Sequence, residues 1–374
     1  MRIIHIIPNL RKGGAEKLVI DMIRTLSTKK DVEVRLVIFE NTIEYPIDSI
    51  KDLIAIIPAN VQLSLLNKNK YQIAALQEYL ESFKPDIIHS HLFKAEIVSR
   101  SCTYPKAKWF SHFHDNMSQF ENLRSNTFFQ KKLLTNYFEK KYLFKRYHIN
   151  KGTNFVCISK DTYQYALNTI DTYKATLLPN AICLDQYKRT NEIPHDSIRI
   201  INIGTFVAKK NQQFFIEIAK ALFKKTIDFK IVLLGNGELY ESIKNKISEN
   251  KLDDYFSLPG AVSNVPDYLQ NSNIYVHTAT IEPFGLVLVE AMAASLPVVT
   301  LDGKGNRDLI DEGKNGYMIY EQDAEKFANT IFDLFNNKKL YDSMSAYAYH
   351  YSRSFDLNNY IDKLLTTYSN ALSL

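Results

Sequence analysis

Glycine is scarce in this sequence, with 12 among 374 residues, where an average protein has about 7%. Nine of the twelve follow residue 200, and four of them stand where an apolar run gives way to a helical pattern: Gly204, Gly235, Gly237 and Gly285. At the carboxyl edge of a parallel sheet, glycine lets the backbone approach a ligand closely, and helix N-termini there attract anions. These positions therefore predict a site for a phosphate or diphosphate group.

Cysteine, long apolar runs and strong net charge are also lacking. The three cysteines, Cys102, Cys157 and Cys183, are odd in number and far apart, which favours reduced thiols in the cytoplasm over disulfides or a zinc site. No run approaches the roughly 20 apolar residues that cross a bilayer, and the N-terminus lacks the features of a secretory signal. The formal charge of +5 is too small to indicate nucleic-acid binding.

Three motifs that bind nucleotides or metals are absent. The sequence contains neither the dinucleotide pattern G-x-G-x-x-G nor the Walker pattern G-x4-G-K-[ST]. It also has no pair of aspartates separated by one residue, an arrangement that often presents a divalent cation to a nucleotide-sugar. These absences disfavour an NAD enzyme and a P-loop NTPase. They indicate that a diphosphate would be held by Lys or Arg side chains and backbone amides, without a metal ion.

Short runs rich in Ile, Val and Phe alternate with segments of helical period. The first series extends from RIIHII (2–7) to KWFSHF (108–113) and includes a predicted helix from Tyr71 to Phe83. The alternation restarts at IRIINIG (198–204) and continues to PVVT (297–300). Strand and helix taking turns predicts a parallel sheet covered on both faces, so the sequence predicts two Rossmann-like α/β domains.

Domain boundaries are predicted from length and composition. A chain of this length exceeds the size of one ordinary core, and segment 177–197 has prolines and little periodicity, as a hinge would. We expect an N-terminal domain at 1–180 and a C-terminal domain at 181–355. The segment 356–374 is predicted to be a terminal helix that packs back on the first domain.

Two glutamates flank the apolar stretch EPFGLVLVE, residues 282–290. Glu282 could accept hydrogen bonds from sugar hydroxyls, and Glu290 could accept a bidentate pair from a ribose, because an ionised carboxylate is an acceptor only. Lys209 and Lys210, just after the strand that ends at Gly204, could meet the charge of a diphosphate. Backbone amides at the predicted helix start would assist them, namely those of Phe284, Gly285, Leu286 and Val287.

These segments resemble family 4 of the retaining glycosyltransferases, enzymes with the GT-B fold. The similarity extends from GGAEK near the N-terminus through LPNAICLDQY and IGTFVAKKNQ to EPFGLVLVEAMAASLPVVT, and so covers most of the chain. It implies two doubly wound parallel-sheet domains facing across a cleft. It also implies sugar transfer with retention from a nucleotide-sugar, a UDP-sugar favoured, to a lipid-linked glycan or a growing surface polysaccharide, with no metal or other cofactor.

The resemblance also implies roles for individual residues. Glu282, Lys210 and His114 would be the catalytic group, and His112 and Asn116 would lie on the acceptor side. The donor would be bound by Glu290 and by a set of loop and helix-start positions: Gly13, Gly14, Gly204, Thr205, Lys209, Phe284, Gly285, Leu286 and Val287. His89 and His91 are interpreted as capping or pairing near their strand rather than binding metal.

Two positions depart from the family pattern. Thr205 stands where the family usually has arginine, so Lys209 or Arg307 would have to supply the missing cation. Lys304 replaces the first glycine of a later turn. Two further functions therefore stay open. One is a GT-B-type nucleotide-sugar epimerase, and the other is a non-catalytic subunit that binds a sugar nucleotide and supports a partner.

The segment 128–151 is strongly basic, with seven Lys or Arg residues and one acid. Aromatic and aliphatic residues recur in it at helical spacing: Phe129, Leu133, Leu134, Tyr137 and Phe138. A basic aromatic helix can lie on an anionic membrane, and it can equally be a solvated surface. The sequence thus predicts a cytoplasmic protein with peripheral contact at the inner face of the cell membrane as one alternative.

Overall fold

The computed structural model describes residues 1–64, 68–120, 131–149, 153–170, 174–190, 192, 196–225 and 227–373. Contacts divide the chain into two compact units. One comprises Met1–Asn180 together with Leu357–Leu374, and the other comprises Ala181–Asp356. The division after Asn180 lies within 177–197, where the prolines predict a hinge.

The first unit contains a seven-stranded parallel sheet and a short antiparallel pair of strands. The strands are β1 (Arg2–Ile7), β2 (Glu33–Ile38), β3 (Ile54–Ile56), β4 (Asn60–Gln62), β5 (Lys70–Gln72), β6 (Ile87–His91), β7 (Lys108–Phe113), β8 (Thr153–Cys157) and β9 (Ala175–Leu177). The sheet order is β3-β2-β1-β6-β7-β8-β9, while β4 pairs with β5. Because the chain crosses over between β1 and β6, the carboxyl ends of these two strands form the switch point where doubly wound folds bind ligands.

The described helices that cover this sheet are α1 (Gly14–Ser27), α2 (Ala74–Phe83), α3 (Phe93–Ser101), α4 (Lys131–Ile149) and α5 (Lys160–Ile170). The predicted helix from Tyr71 is wrong at its start, since Tyr71 lies in β5 and pairs with Val61. Period 3.6 and period 2 cannot be told apart over so short a stretch. The central strands are almost wholly buried, as their continuous apolar runs predict.

The second unit repeats the plan with a six-stranded parallel sheet. Its strands are β10 (Ile198–Ile203), β11 (Phe229–Leu234), β12 (Phe256–Gly260), β13 (Ile274–His277), β14 (Val298–Leu301) and β15 (Gly316–Ile319), in the order β12-β11-β10-β13-β14-β15. Its helices are α6 (Phe215–Phe223), α7 (Tyr240–Glu249), α8 (Val265–Gln270), α9 (Leu286–Ala293), α10 (Ala324–Asn336) and α11 (Lys338–Ser352). The two parallel sheets confirm the predicted pair of Rossmann-like units.

The chain ends in α12 (Leu357–Ser373), which belongs to the first unit. An ion pair of 2.7 Å joins Lys29 to Asp362 of this helix. The Tyr368 hydroxyl lies 2.5 Å from Nδ1 of His89, at the carboxyl half of β6. The terminal helix therefore contributes a polar contact to the interior of the first sheet. Among the described residues, none of the helices combines the length and the apolarity needed to span a bilayer.

Candidate active site

The loops after β10 and β11 pass very close to each other. Gly235 has φ of +136°, and a Cβ there would lie 2.0 Å from the Gly204 carbonyl oxygen. Only glycine satisfies both conditions, because other residues rarely adopt that φ and the clash is with backbone. Gln212 donates to the carbonyl oxygens of Gly204 and Thr205, at 3.3 and 3.1 Å. These contacts fix the loop that carries Lys209 and Lys210 at the carboxyl edge of the sheet.

Lys210 and Glu282 meet at this edge, although 72 residues separate them. Nζ of Lys210 donates to Oε2 of Glu282 at 2.5 Å, and Nε2 of His277 lies 2.8 Å from the same oxygen. The Glu282 amide donates to the Gly303 carbonyl oxygen at 2.9 Å. Because β10 and β13 are neighbours, the loops that follow them are brought together. The result is a buried carboxylate with an ammonium on one side and an imidazole on the other.

The charges in this cluster follow from its partners. Burial alone would raise the pKa of Glu282, but Lys210 and His277 outweigh it and lower the pKa to about 2. Burial lowers the pKa of His277, although Glu282 acts in the opposite direction. Near neutral pH the glutamate is therefore ionised and accepts the Nε2–H of a neutral His277. That tautomer leaves Nδ1 facing the Tyr275 hydroxyl at 3.4 Å.

The helix α9 begins beside Glu282. Its N-cap, Gly285, has φ of +102°, which explains why glycine interrupts the apolar run. Phe284 is buried and its ring packs edge-on against Phe355, so the entry to the helix is anchored. The first amides of the helix, including those of Leu286 and Val287, have no partner within the helix. These amides can therefore donate hydrogen bonds to an anion.

Glu290 lies about one turn into α9 and is buried. The Tyr187 hydroxyl donates to its Oε1 at 2.8 Å. Burial raises the pKa of Tyr275 well above its usual value, and the carboxylates of Glu282 and Glu290 add to that effect. The negative charges of both glutamates therefore raise the pKa of the same buried hydroxyl, that of Tyr275. Both carboxylates thus lie in the same region of the second unit.

The two proposed replacements for the missing arginine differ in their surroundings. Arg307 forms a two-pronged ion pair with Asp302, at 2.8 and 2.5 Å. Lys209 is exposed on the same loop as the ion-paired Lys210, and Thr205 is exposed before it. Lys304 adopts φ of 74°, so the residue in place of the family glycine retains the left-handed backbone. An anion would have to displace Asp302 to recruit Arg307.

The remaining predicted residues belong to the first unit. Gly13 caps α1 with an extended φ of −163°, and its amide and carbonyl both bond the Tyr45 hydroxyl. Gly14 is the first residue of that helix. Asn116 donates to Asp161 at 2.6 Å. These residues lie in loops that follow β1 and β7, at the carboxyl edge of the sheet.

His112 and His114 belong to a group of five histidines in the same sheet. His112 is buried, and its ring stacks on that of His114 with centroids 4.2 Å apart. His114 keeps part of its surface exposed. Nε2 of His114 lies 3.0 Å from Nδ1 of His91. Burial lowers the pKa values of both His112 and His114, so these rings are neutral near pH 7.

Solved structures share this arrangement of two doubly wound units. HepE of Anabaena, solved with UDP and glucose, superposes with a TM-score of 0.77 at 17% identity, covering 98% of this chain and 99% of its own. A glycosyltransferase from Rickettsia africae gives a TM-score of 0.78 at 18% identity, covering 99% and 98%. The fold is therefore the GT-B fold.

Two family models match consecutive parts of the chain. Glycosyltransferase Family 4 matches residues 12–186, and Glycosyl transferases group 1 matches residues 185–351. Together they cover both units, and the chain belongs to the family 4 glycosyltransferases, as the motifs predict.

One curated relative is the poly(glycerol-phosphate) alpha-glucosyltransferase of Bacillus subtilis, 28% identical over 171 residues, or 46% of this chain. The aligned part spans only 25% of that relative. Another is the UDP-Gal:alpha-D-GlcNAc-diphosphoundecaprenol alpha-1,3-galactosyltransferase of Escherichia coli, 22% identical over 298 residues, covering 74% of this chain and 73% of the relative.

Sequence reasoning missed two polar residues that hold the glutamates. His277 is the last residue of a strand and stands five residues before Glu282, so its place at the carboxyl edge of the sheet was a usable signal. Tyr187 offered none, because it lies in the predicted hinge segment 177–197, 103 residues from its partner Glu290. Only the folded chain shows that contact.

The buried carboxylate gives the protein a specific acid sensitivity. The pKa of Glu282 falls from 4.5 to about 2 on folding. The ionised carboxylate therefore stabilises the folded protein fully above pH 4.5, and this stabilisation is lost as the pH falls towards 2. The full loss amounts to about 3 kcal/mol, of which about 2 kcal/mol falls between pH 7 and 3. We expect Glu282→Gln to remove that part of the pH dependence, measured by urea unfolding between pH 7 and 3. A wild type and variant that lose stability in parallel would contradict the ionised state assigned to Glu282.

Proposed function

We propose that this protein transfers a sugar, with retention of anomeric configuration, from a nucleotide-sugar to a glycan or lipid-linked glycan acceptor. A UDP-sugar is the favoured donor, and no divalent metal is required to bind it. The observation that carries the proposal is the Lys210–Glu282–His277 cluster beside the start of α9. Support comes from the complex of HepE with UDP and glucose and from the diphosphoundecaprenol-linked acceptor in the name of the Escherichia coli relative.

The departing diphosphate must be stabilised as the bond to the anomeric carbon breaks. Lys210 and the amides at the start of α9 are preorganised to do so, because fixed dipoles and charges need no reorganisation during reaction. Lys210 is paired with Glu282. A bound diphosphate would compete for its ammonium group. Glu282 stays in place as this happens, because His277 and the Gly303 carbonyl still hold it.

Glu282 and Glu290 would then recognise different parts of the donor. Glu282, once Lys210 turns to the phosphates, would accept hydrogen bonds from the transferred sugar. Glu290, oriented by Tyr187, would accept a pair from the ribose. The cations available for the diphosphate are Lys210 and Lys209, with Arg307 held by Asp302.

The family resemblance also implies roles for residues of the first unit. His114 would border the donor sugar, and Gly13 and Gly14 would contribute the amide end of α1. His112 and Asn116 would lie on the acceptor side. His114 is neutral near pH 7, so it can orient a hydroxyl through one nitrogen without adding charge near the reacting centre.

Binding of the donor is tested by thermal unfolding with UDP-, GDP- and ADP-sugars. A ligand present at 100 times its dissociation constant adds about 2.7 kcal/mol to the free energy of unfolding. We expect that stabilisation with a UDP-sugar, and we expect Glu290→Gln to reduce it. A panel in which no nucleotide-sugar raises the unfolding temperature would contradict the proposal.

Turnover separates the three candidate functions. A transferase consumes labelled donor only when an acceptor glycan is present, and proton NMR of its product shows the donor's anomeric configuration. An epimerase converts the donor without any acceptor, and a binding subunit is stabilised by donor but converts none. We expect the first pattern, unchanged when Mg²⁺ is added.

A membrane contact through α4 is a separate proposal. Residues 128–130 and 150–151 of the basic segment lie outside the described residues. Of its basic side chains, Lys140 donates to the Phe120 carbonyl oxygen and Arg146 to that of Ser101, so both are engaged by the protein. Lys141 and Lys145 are exposed.

Two exposed aromatic rings of α4 strengthen this proposal. Tyr137 and Phe138 are 42% and 39% exposed, which leaves apolar surface for a lipid headgroup region. Each basic residue near an anionic membrane contributes about 1 kcal/mol. We expect Lys141→Ser/Lys145→Ser to lower partitioning onto phosphatidylserine vesicles about thirty-fold. The matched control is Lys244→Ser/Lys339→Ser, which removes two exposed lysines from the second unit. Equal losses in both variants would mean a nonspecific charge effect and would contradict a contact through α4.

A further inference from the structure

Five histidines lie on one face of the first sheet. The strand register places His5 opposite His89, and His91 opposite His112. Residues two apart on a strand share a face, so His89 and His91 lie together, as do His112 and His114. Four of the five are 0% exposed, and His114 alone reaches the surface. Such a concentration of imidazoles in an apolar sheet interior requires a partner for each ring nitrogen.

The rings contact each other through their nitrogens. Nε2 of His91 lies 2.9 Å from Nδ1 of His5, and Nδ1 of His91 lies 3.0 Å from Nε2 of His114. Among the described residues, neither nitrogen of His112 makes a hydrogen bond, although the Asn180 amide is near enough to favour its protonated form. One fully buried imidazole is therefore left without a hydrogen bond inside a cluster of nitrogen lone pairs.

We propose that His91, His112 and His114 form a binding site for a transition-metal ion of the Zn²⁺ or Co²⁺ type. One nitrogen of each lies within 4.8 Å of those of the other two. Two imidazoles on a tetrahedral ion, with bonds of about 2.0–2.1 Å, hold their nitrogens about 3.3 Å apart. The pair His91–His114 at 3.0 Å has only to open by about 0.3 Å. The rings of His112 and His114 are stacked nearly parallel, at 7°, so His112 would have to rotate out of this stack to bind the same ion.

Besides three ligands, a metal site needs an acceptor for the second N–H of a ligating histidine and a path by which the ion enters. A metal-bound histidine normally donates its other N–H to an acceptor that fixes its orientation. If His91 binds through Nδ1, its Nε2–H points at Nδ1 of His5 at 2.9 Å. The partly exposed His114 provides a path for entry, and water would fill the fourth position.

The second histidine triad fits less well. His5, His89 and His91 also bring ligand atoms within 4.8 Å, but all three are fully buried. An ion there would also require His91 to use the nitrogen that faces His5. The geometry therefore favours the triad at the sheet edge.

Imidazole nitrogens select zinc, cobalt, nickel and copper over magnesium and calcium, which prefer oxygen. The proposed ion is thus different in kind from the divalent cation that assists diphosphate binding in other nucleotide-sugar enzymes. This inference does not rest on the proposed transferase function, but it gives His112 and His114 a second role, as metal ligands, beside those proposed above. It departs from the sequence-based interpretation of His91 as a residue that only pairs near its strand.

The test is a titration of the full-length, chelator-stripped protein with Co²⁺, followed by visible absorption. We expect about one ion per chain, with the intense bands of four-coordinate Co²⁺, displaced by Zn²⁺. His114→Ala should abolish the bands, and because its side chain is partly exposed this variant is expected to fold. His5→Phe keeps a ring of similar size but removes the acceptor for His91, and should weaken binding about 10–100-fold.

His350→Ala is the matched control, because it removes an exposed histidine of the second unit. Its Co²⁺ affinity should equal that of the wild type. Circular dichroism of the metal-free variants establishes that each is folded before titration. Absence of four-coordinate bands in the wild type would overturn the proposal. So would full binding by a folded His114→Ala or His91→Gln variant.

Discussion

Replacing Lys210 with methionine is expected to lower the rate of sugar transfer about 10²–10³-fold, the usual effect of removing one preorganised donor to a charge that develops in the transition state. Methionine keeps much of the side-chain length and loses the charge. The Lys210 ammonium lies 2.5 Å from Glu282 and close to the start of α9. No other described cation in the second unit is held as closely against this carboxylate. Initial rates at saturating donor and acceptor measure the effect.

The same substitution should also destabilise the protein. Removing one partner of a buried ion pair costs about 3–5 kcal/mol because the other charge stays buried. His277 still bonds Glu282, so we expect a loss near the lower end, about 3 kcal/mol. Lys244→Met is the control, since that lysine is exposed and should change stability by less than about 0.5 kcal/mol.

The double variant Lys210→Met/Glu282→Gln separates stability from catalysis. Neutralising both partners removes the unpaired charge, so most of the lost stability should return in urea unfolding. The rate should stay low, because neither the cation nor the carboxylate is restored. Recovery of the rate together with stability would show that Lys210 acts only on folding, and would contradict its assignment to the diphosphate.

The meeting of Lys210 with Glu282 was predictable from sequence. Each follows an apolar run that reads as a buried strand, and parallel strands end at the same edge of a sheet. The strand order, which places β10 beside β13, was not predicted and comes from the structure. Glycine scarcity pointed to the same edge, where Gly235 and Gly285 adopt backbone conformations closed to other residues.

Contacts between side chains on neighbouring strands that are far apart in sequence were not predictable in the same way. The pattern H-x-H occurs at His89–His91 and again at His112–His114, and it places each pair on one face. That both pairs and His5 share one face depends on register, which no local pattern fixes. Likewise, helical spacing in the basic segment could not show that Lys140 faces the protein while its neighbour Lys141 is exposed.

Arg189 is another residue whose role appears only in the structure. It lies within the predicted hinge segment 177–197, where no sequence pattern indicates burial of a basic side chain. Instead its guanidinium donates to four backbone carbonyl oxygens, those of Leu269, Gln270, Ser272 and Ala294, at 2.8 to 3.1 Å. Leu269 and Gln270 end α8, and Ala294 caps α9. The Arg189 side chain thus donates hydrogen bonds to the C-termini of two helices, α8 and α9.

Replacing Arg189 with methionine is expected to cost at least about 3 kcal/mol of unfolding free energy. The Leu269 carbonyl also accepts from the Ser272 amide at 3.2 Å, but carbonyls at a helix end otherwise lack partners within the helix, and each buried acceptor left unsatisfied costs about 1–3 kcal/mol. The positive charge also complements the negative ends of both helix dipoles. Urea unfolding measures the loss. Because α9 carries Glu290, the variant should also bind the donor more weakly in the thermal-shift assay.

Arg189→Lys tests whether charge or geometry matters. An ammonium group presents its three N–H bonds from one point and cannot reach four carbonyls as a planar guanidinium does, so it should recover only part of the loss. Arg199→Met is the matched control: Arg199 forms a surface ion pair with Asp196, which is worth about 0–1 kcal/mol. If Arg189→Met and Arg199→Met proved equally mild, the four carbonyls would have to be satisfied by water. The guanidinium would then not be what joins the ends of α8 and α9.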